Sequence, residues 1–237
     1  MSTVTGISIS TKELTLAALT PKVTSFSYQP DDAIMFAGEC ADSLFLIKSG
    51  WVRLYRVLRD DRTIVLGLLG PGEVFMQDAS IDQCDQPTSA DALTACEITE
   101  IPFDKVGAVL AKSPEYSRKL LGAFRRRQSA SHDHIEEVLT RDTSRRLASI
   151  LVDLSRAVGD ATDQPHIVKI SRAATHQSLA NMIGSNRVTV TRKLIEMQAH
   201  GMVRSLGRNS IEVDVTALLR YLSNDSDSAT AAQEAAA

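Results

Sequence analysis

Two periodicities divide this chain. From Val23 to Pro102, short apolar or alternating runs recur between turn residues: Ser25 to Tyr28, Ala33 to Phe36, Ser43 to Ile47, Trp51 to Tyr55, Thr63 to Leu69 and Glu97 to Ile101. Asp31, Gly38, Gly50, Asp60-Asp61 and Gly70-Pro71-Gly72 punctuate them at the spacing of an antiparallel sandwich or barrel. This texture predicts an all-β half. After Pro102 the period lengthens to that of a helix. Leu120, Leu121, Phe124, Ile135, Val138 and Leu139 form an apolar seam interrupted by Gln128, Ser131 and His132. A helix from 114 to 138 would be roughly 37 Å long, more than a small domain needs beside it, and its partly polar seam suggests pairing with a second copy.

Arg141 to Val158 predicts another amphipathic helix, with Leu147, Ile150, Leu151 and Leu154 on one face. Gly159 to Pro165 reads as a loop and Ile167 to Ile170 as a short strand. Two short helices then follow across Thr175 to Met202. Leu179 and Ile183 share one inward face, as do Val190, Leu194 and Met197. Between them Gly184 can take the left-handed conformation that ends a helix, and Ser185 can cap the next. This is the punctuation of a helix-turn-helix. Arg187, Val188, Thr191 and Arg192 point outward near the start of its second helix. They are the types a DNA major groove requires: an Arg fork for guanine, an apolar group for a thymine methyl, and hydroxyl or cationic groups for phosphate. Beyond, Met202 to Leu206 and Ser210 to Val213 flank Gly207-Arg208-Asn209, a hairpin wing whose Arg208 tip could reach phosphate. Ala217 to Leu222 can add a helical turn. Residues 1–20 carry at most a short helix around Lys12 to Leu19, and the tail, assigned to 218–237, is expected to be flexible, its Ser/Asp/Ala-rich part from Asn224 lacking apolar periodicity.

Charge sharpens this reading. The net charge of −3 over 237 residues conceals a segregation. Residues 1–110 hold 8 Lys/Arg against 15 Asp/Glu, whereas residues 171–210 hold 6 against Glu196 alone, a net of +5. Basic charge is thus gathered on the helix-turn-helix, where phosphate contacts would need it. Cys40, Cys84 and Cys96 are widely spaced, odd in number and without a CxxC, which fits a reducing cytoplasm and argues against a disulfide framework or an iron-sulfur cluster. The start of the chain carries no signal-peptide pattern, and no apolar run approaches membrane length, so the expectation is a cytoplasmic protein with no membrane partner.

Other constellations resolve to plainer readings. His132 and Glu136 have the i,i+4 spacing a metal could bridge, but no closing ligand is visible, so a solvated helix face is expected and no metal or cofactor. Arg125-Arg126-Arg127 reads as a solubilising patch. No Gly-rich phosphate loop, nucleophile elbow or convergent acid pair marks an enzyme. The rival reading is a non-catalytic ligand sensor or adaptor whose helix-turn-helix does not bind DNA.

An all-β half, a long helix and a winged helix-turn-helix, in that order, resemble the cyclic-AMP receptor protein/FNR superfamily of bacterial transcription regulators over residues 22–215. The resemblance rests on Leu44-Phe45-Leu46-Ile47-Lys48-Ser49-Gly50, Gly70-Pro71-Gly72-Glu73-Val74-Phe75, Thr94-Ala95-Cys96-Glu97-Ile98-Thr99-Glu100-Ile101 and above all Leu179-Ala180 with Gly184-Ser185-Asn186-Arg187-Val188-Thr189-Val190-Thr191-Arg192. That last segment looks most like the one in the cyanobacterial global nitrogen regulators. The resemblance implies an α+β fold: an N-terminal antiparallel β-roll of the cyclic-nucleotide-binding type over 1–110, a dimerisation helix over 111–140 and a winged helix-turn-helix over 141–217.

It also implies a homodimer on double-stranded DNA that contacts RNA polymerase, with two recognition helices about 34 Å apart on an imperfect palindrome. Arg187 would read guanine, Val188 would favour a thymine methyl over a cytosine amine, and Arg192 would add a base or phosphate contact. Thr175, His176 and Gln177, with backbone N–H groups near Ser185, would hold phosphates. By the same analogy the half-site is of the GTA type, in inverted repeat.

The effector site departs from the family pattern. Cyclic-nucleotide binders place a Gly-Glu pair and, some ten residues on, an Arg around the ribose and phosphate; here the matching positions are Met76-Gln77 and Gln86-Pro87-Thr88. Without that carboxylate and that Arg, an anionic cyclic nucleotide is not expected in the usual mode. The nitrogen regulators' Phe-Gly-Val-Leu becomes Phe75-Met76-Gln77-Asp78, and Asp78 would repel a dianion such as 2-oxoglutarate. The pocket is therefore either retuned for a neutral or cationic effector or vestigial.

Overall fold

The computed structural model describes residues 24–39, 43–77, 88–112 and 142–223 except 172, 173, 208 and 209, and, between 113 and 141, residues 114, 115, 117, 118, 120–122, 124, 125, 128, 129, 132 and 136. It forms two compact units, Met1–His134 and Ile135–Ala237.

Among the described residues the first unit has eight strands: β1 (Thr24–Tyr28), β2 (Ala33–Met35), β3 (Ser43–Ser49), β4 (Val52–Val57), β5 (Thr63–Leu69), β6 (Val74–Gln77), β7 (Ser89–Ala92) and β8 (Cys96–Pro102). They make two antiparallel sheets, ordered β1-β8-β3-β6 and β2-β7-β4-β5. Met35, Phe45, Ile47, Val52, Leu54, Leu69, Phe75, Ala90 and Ile98 fill the space between the sheets. The reverse face of the first sheet, through Leu44, Leu46, Val74 and Ile101, meets helix α1 (Phe103–Lys112) at Val106 and Leu110. This explains two sequence textures. Strand β3 is covered on both faces, so its apolar run is unbroken, whereas β4 buries only Val52 and Leu54 and alternates with Arg53 and Tyr55.

The turn residues behave as their types require. Asp31, Asp61, Gly38, Gly50 and Gly72 all have positive φ. Gly50 is also hemmed in: a Cβ there would lie 2.2 Å from the Ala95 carbonyl oxygen. Outside the sheets' interior, Arg53 holds Asp91 of the neighbouring strand with a two-pronged hydrogen bond, Nε to Oδ1 at 2.9 Å. Burial works against the charged guanidinium, and Asp91's hydrogen bonds and charge offset it, raising the Arg53 pKa.

Every described residue from Pro114 to Glu136 is helical. The apolar seam expected to face one partner is split. Leu120 and Phe124 pack on the β-roll's own lower cluster, while Leu121 is 67% exposed in line with exposed Arg125, Gln128 and His132. Residues one position apart on a helix are turned by about 100°, so adjacent leucines cannot share a face. Ile135, Val138 and Leu139 lie outside the described residues.

The second unit opens with α2 (Thr143–Val158), capped by Asp142, whose side chain accepts the Arg145 amide. Leu147, Leu151 and Leu154 are fully buried along it. The segment read as a loop contains a short strand, β9 (Gly159–Ala161), paired to β10 (Ile167–Ser171). Strand β10 also pairs, antiparallel, with β12 (Ser210–Asp214), which pairs with β11 (Val203–Ser205) as the wing. Residues 218–223, assigned from sequence to the tail, instead end helix α5 (Val215–Ser223). Leu218 is fully buried there, and Arg145 of α2 stacks over the Tyr221 ring at 5.5 Å. The helical turn expected over Ala217 to Leu222 is therefore present, and only the boundary of the tail moves, to beyond Ser223. The N-terminal arm around Lys12 to Leu19 lies outside the described residues.

Candidate nucleic-acid interface

The site is two helices and the turn between them. Helix α3 (His176–Met182) starts at Thr175, whose hydroxyl accepts the Ser178 amide at 3.0 Å. It ends at Ile183, after which Gly184 takes φ +61°, the left-handed conformation expected of it. The Ile183 carbonyl, left unpaired by the helix's end, accepts from Arg146 Nη1 of α2 at 2.8 Å. That tie spans 37 residues of sequence and no local pattern announces it. Helix α4 (Arg187–Ala199) follows. Its cap is Asn186, whose side-chain oxygen accepts the Thr189 amide at 2.8 Å, and not Ser185 as the sequence suggested. Ser185 lies one residue too early: its amide closes the turn on the Ala180 carbonyl at 2.9 Å.

The inward stripes are as expected. Leu179, Ala180, Met182 and Ile183 of the first helix and Val190, Leu194 and Met197 of the second are buried. Facing away from them, Arg187 and Arg192 are exposed and Val188 is 78% exposed, the extreme for a large apolar side chain among the described residues. Leaving a valine this bare in water forgoes the ~1.5–3 kcal/mol its burial would contribute. Neither arginine forms an ion pair among the described residues. The helix's one acid, Glu196, is instead held by Lys193 at 2.7 Å.

Thr191 is engaged within the protein. Its hydroxyl donates to the Arg187 carbonyl at 2.9 Å, so it accepts from His176 Nδ1 at 2.8 Å. The proton of neutral His176 therefore sits on Nδ1, leaving Nε2 for an outside partner. Thr191 thereby joins the two helices as well as facing outward. Gln177 is exposed and donates to Asn181 at 2.8 Å. Across the wing, Arg204 pairs with Glu212 at 2.6 Å, and Arg208 lies outside the described residues.

Thr175, His176, Gln177, Ser185, Arg187, Val188, Thr191 and Arg192 are thus gathered on the two helices and their turn. The effector positions are less uniform. Phe75 is buried between the sheets, stacked on Phe45 with ring centroids 5.0 Å apart. Met76, one residue on, packs into the opposite cluster beneath the helices. The backbone of Gln77 pairs with Ser43, and Thr88 is half-buried. Asp78, Gln86 and Pro87 lie outside the described residues.

Residues 25–113 match the cyclic nucleotide-binding domain family, and residues 145–221 match the Crp-like helix-turn-helix domain family. The chain is 30% identical over 189 residues, 79% of its length and 83% of the relative's, to the global nitrogen regulator of Synechocystis. The chain belongs to the CRP/FNR family of transcription regulators. It is 25% identical over 205 residues to a CRP-like cAMP-activated global transcriptional regulator of Mycobacterium tuberculosis, covering 86% of this chain and 91% of that one. A CRP/FNR-family transcriptional regulator from Thermus thermophilus superposes with a TM-score of 0.73 at 26% identity, over 84% of this chain and 98% of that one. As a family member the chain is a DNA-binding transcription regulator rather than an enzyme. Among the described residues no helix is long and apolar enough to cross a membrane.

Proposed function

We propose that this regulator works in the cytoplasm as a homodimer that reads a palindromic DNA site with GTA-type half-sites through Arg187, Val188 and Arg192. The observation that carries the reading is the exposed Arg-Val-Arg face at the capped start of α4. Arg187 pairs with guanine, Val188 covers the thymine methyl, and Arg192 adds a base or phosphate contact. Thr175, His176, Gln177 and the amides near Ser185 hold the backbone, with Arg208 reaching phosphate from the wing. Leu121, 67% exposed, supports the dimer: it marks the stripe on which a second copy packs, within a dimerisation helix over 111–140. Bound promoters would present the dimer to RNA polymerase.

The β-roll is altered as an effector domain. Phe75 is committed to the core, and Met76-Gln77 stand where cyclic-nucleotide binders carry Gly-Glu. The pocket is vestigial, or retuned to a neutral or cationic molecule. Selection of bound duplexes from random DNA tests the main reading: an inverted GTA repeat supports it, and absence of sequence preference supports an adaptor without DNA binding. Equilibrium dialysis tests the pocket, where micromolar binding of cyclic AMP or 2-oxoglutarate would overturn both versions.

A further inference from the structure

Ile195 is a second large apolar side chain left in water on the same helix, 64% exposed. Its position is not incidental. Successive residues of a helix turn by about 100°, so seven residues bring the direction back to within about 20° of the start. Ile195 therefore stands almost directly above Val188, with exposed Arg192 between them. Arg187, Val188, Thr191, Arg192 and Ile195 line one shallow hollow, with Glu196 at its rim.

The buried third of Ile195 borders a hollow toward Leu194, Val203 and Ile211, which leaves most of the side chain unexplained by packing. Two-thirds of it is unburied, so it adds little to the core, and a β-branched residue is a poorer helix former than alanine or lysine. The charge around it selects the occupant. Arg187 and Arg192 flank the stripe, and the one nearby acid is drawn off by Lys193 at 2.7 Å, so the face is apolar within a basic frame. A protein or lipid partner would want a broader apolar patch than two side chains; a major groove offers isolated methyl groups between phosphates.

Resting on the reading of Val188 as the thymine contact, we propose that Ile195 is a further specificity-determining residue, meeting a second thymine methyl in each half-site. Seven residues at 1.5 Å rise separate the two side chains by roughly 10.5 Å along the axis, which is about three base-pair steps at 3.4 Å. The second A·T pair thus lies about three base pairs from the thymine of GTA.

The test is a uracil scan. A duplex with two inverted GTA half-sites and only A·T pairs elsewhere is made with each thymine in turn replaced by deoxyuridine, which removes only the methyl. Affinities are measured for the wild type, Val188→Ala and Ile195→Ala. Both side chains are exposed, and alanine is the better helix former, so the variants fold. Loss of the methyl in GTA should weaken the wild type and Ile195→Ala about fourfold per half-site and leave Val188→Ala unchanged. Loss of one methyl about three base pairs away should weaken the wild type and Val188→Ala by the same factor and leave Ile195→Ala unchanged. If every thymine matters equally to the wild type and Ile195→Ala, the assignment is overturned while the Val188 reading stands. If the GTA thymine is insensitive to Val188→Ala, the underlying reading fails.

Discussion

Asn186→Ala removes the acceptor that holds the Thr189 amide at 2.8 Å and leaves that amide facing water at the start of α4. Losing an N-cap of this kind costs about 1 kcal/mol, or roughly a fivefold shift toward an unravelled first turn. The turn in question carries Arg187 and Val188, so the same fraying loosens the reading head. Hydrogen exchange of peptides covering 184–194 should rise about fivefold, and affinity for a GTA-type duplex should fall by up to the same factor. Two further variants separate capping from contact. Asn186→Asp keeps the cap and favours the helix N-terminus, so exchange stays at or below the wild-type rate. Its carboxylate nevertheless faces the phosphates, so DNA affinity falls, and the loss shrinks as salt is raised. Ser185→Ala leaves exchange unchanged, because the Ser185 contact that matters is its backbone amide on Ala180. Exchange raised as much by Ser185→Ala as by Asn186→Ala would refute the assignment of the cap, as would wild-type exchange in Asn186→Ala.

Two more predictions follow from the first unit and its helix. Leu121→Asp should leave the fold intact, since the side chain is 67% exposed, but raise the dimer dissociation constant at least a hundredfold in sedimentation experiments. Removing two interfacial leucines at about 1.5–3 kcal/mol each gives that factor, and an unchanged dissociation constant would place the dimer contact elsewhere. Asp91→Ala should destabilise the first unit by about 1–3 kcal/mol in urea unfolding, because it strips a half-buried guanidinium of its two-pronged partner. A change below a few tenths would show that water replaces the carboxylate without cost.

The order of elements was legible because each long segment carries one dominant period. The unbroken Ser43 to Ile47 run and the alternating Trp51 to Tyr55 run even distinguish a strand covered on both faces from one covered on a single face. Strand β7 was not legible: Ser89-Ala90-Asp91-Ala92 holds no strong strand former, and its conformation comes from pairing with β4 and β2. The reading head was visible because charge and periodicity coincide at Arg187 to Arg192. The residues that hold it in place were less so. Asn186 and Ser185 are both good caps, and only the helix's first turn chooses between them, while Arg146 reaches Ile183 through the tertiary fold. The outward direction of Ile195 is legible from its seven-residue spacing to Val188, but how much of it stays in water is set by the neighbouring wing and shows only in the structure.

The central claim is that the exposed face of α4 reads GTA, and Val188 is its most selective element. Binding selection from random duplexes with the wild type and with Val188→Glu tests it directly. The wild type should return inverted GTA half-sites. Val188→Glu should shift them toward a TGTGA-type site, since a glutamate accepts from the cytosine amine where the valine met a thymine methyl. A TGTGA-type site returned by the wild type and unmoved by Val188→Glu would contradict the account.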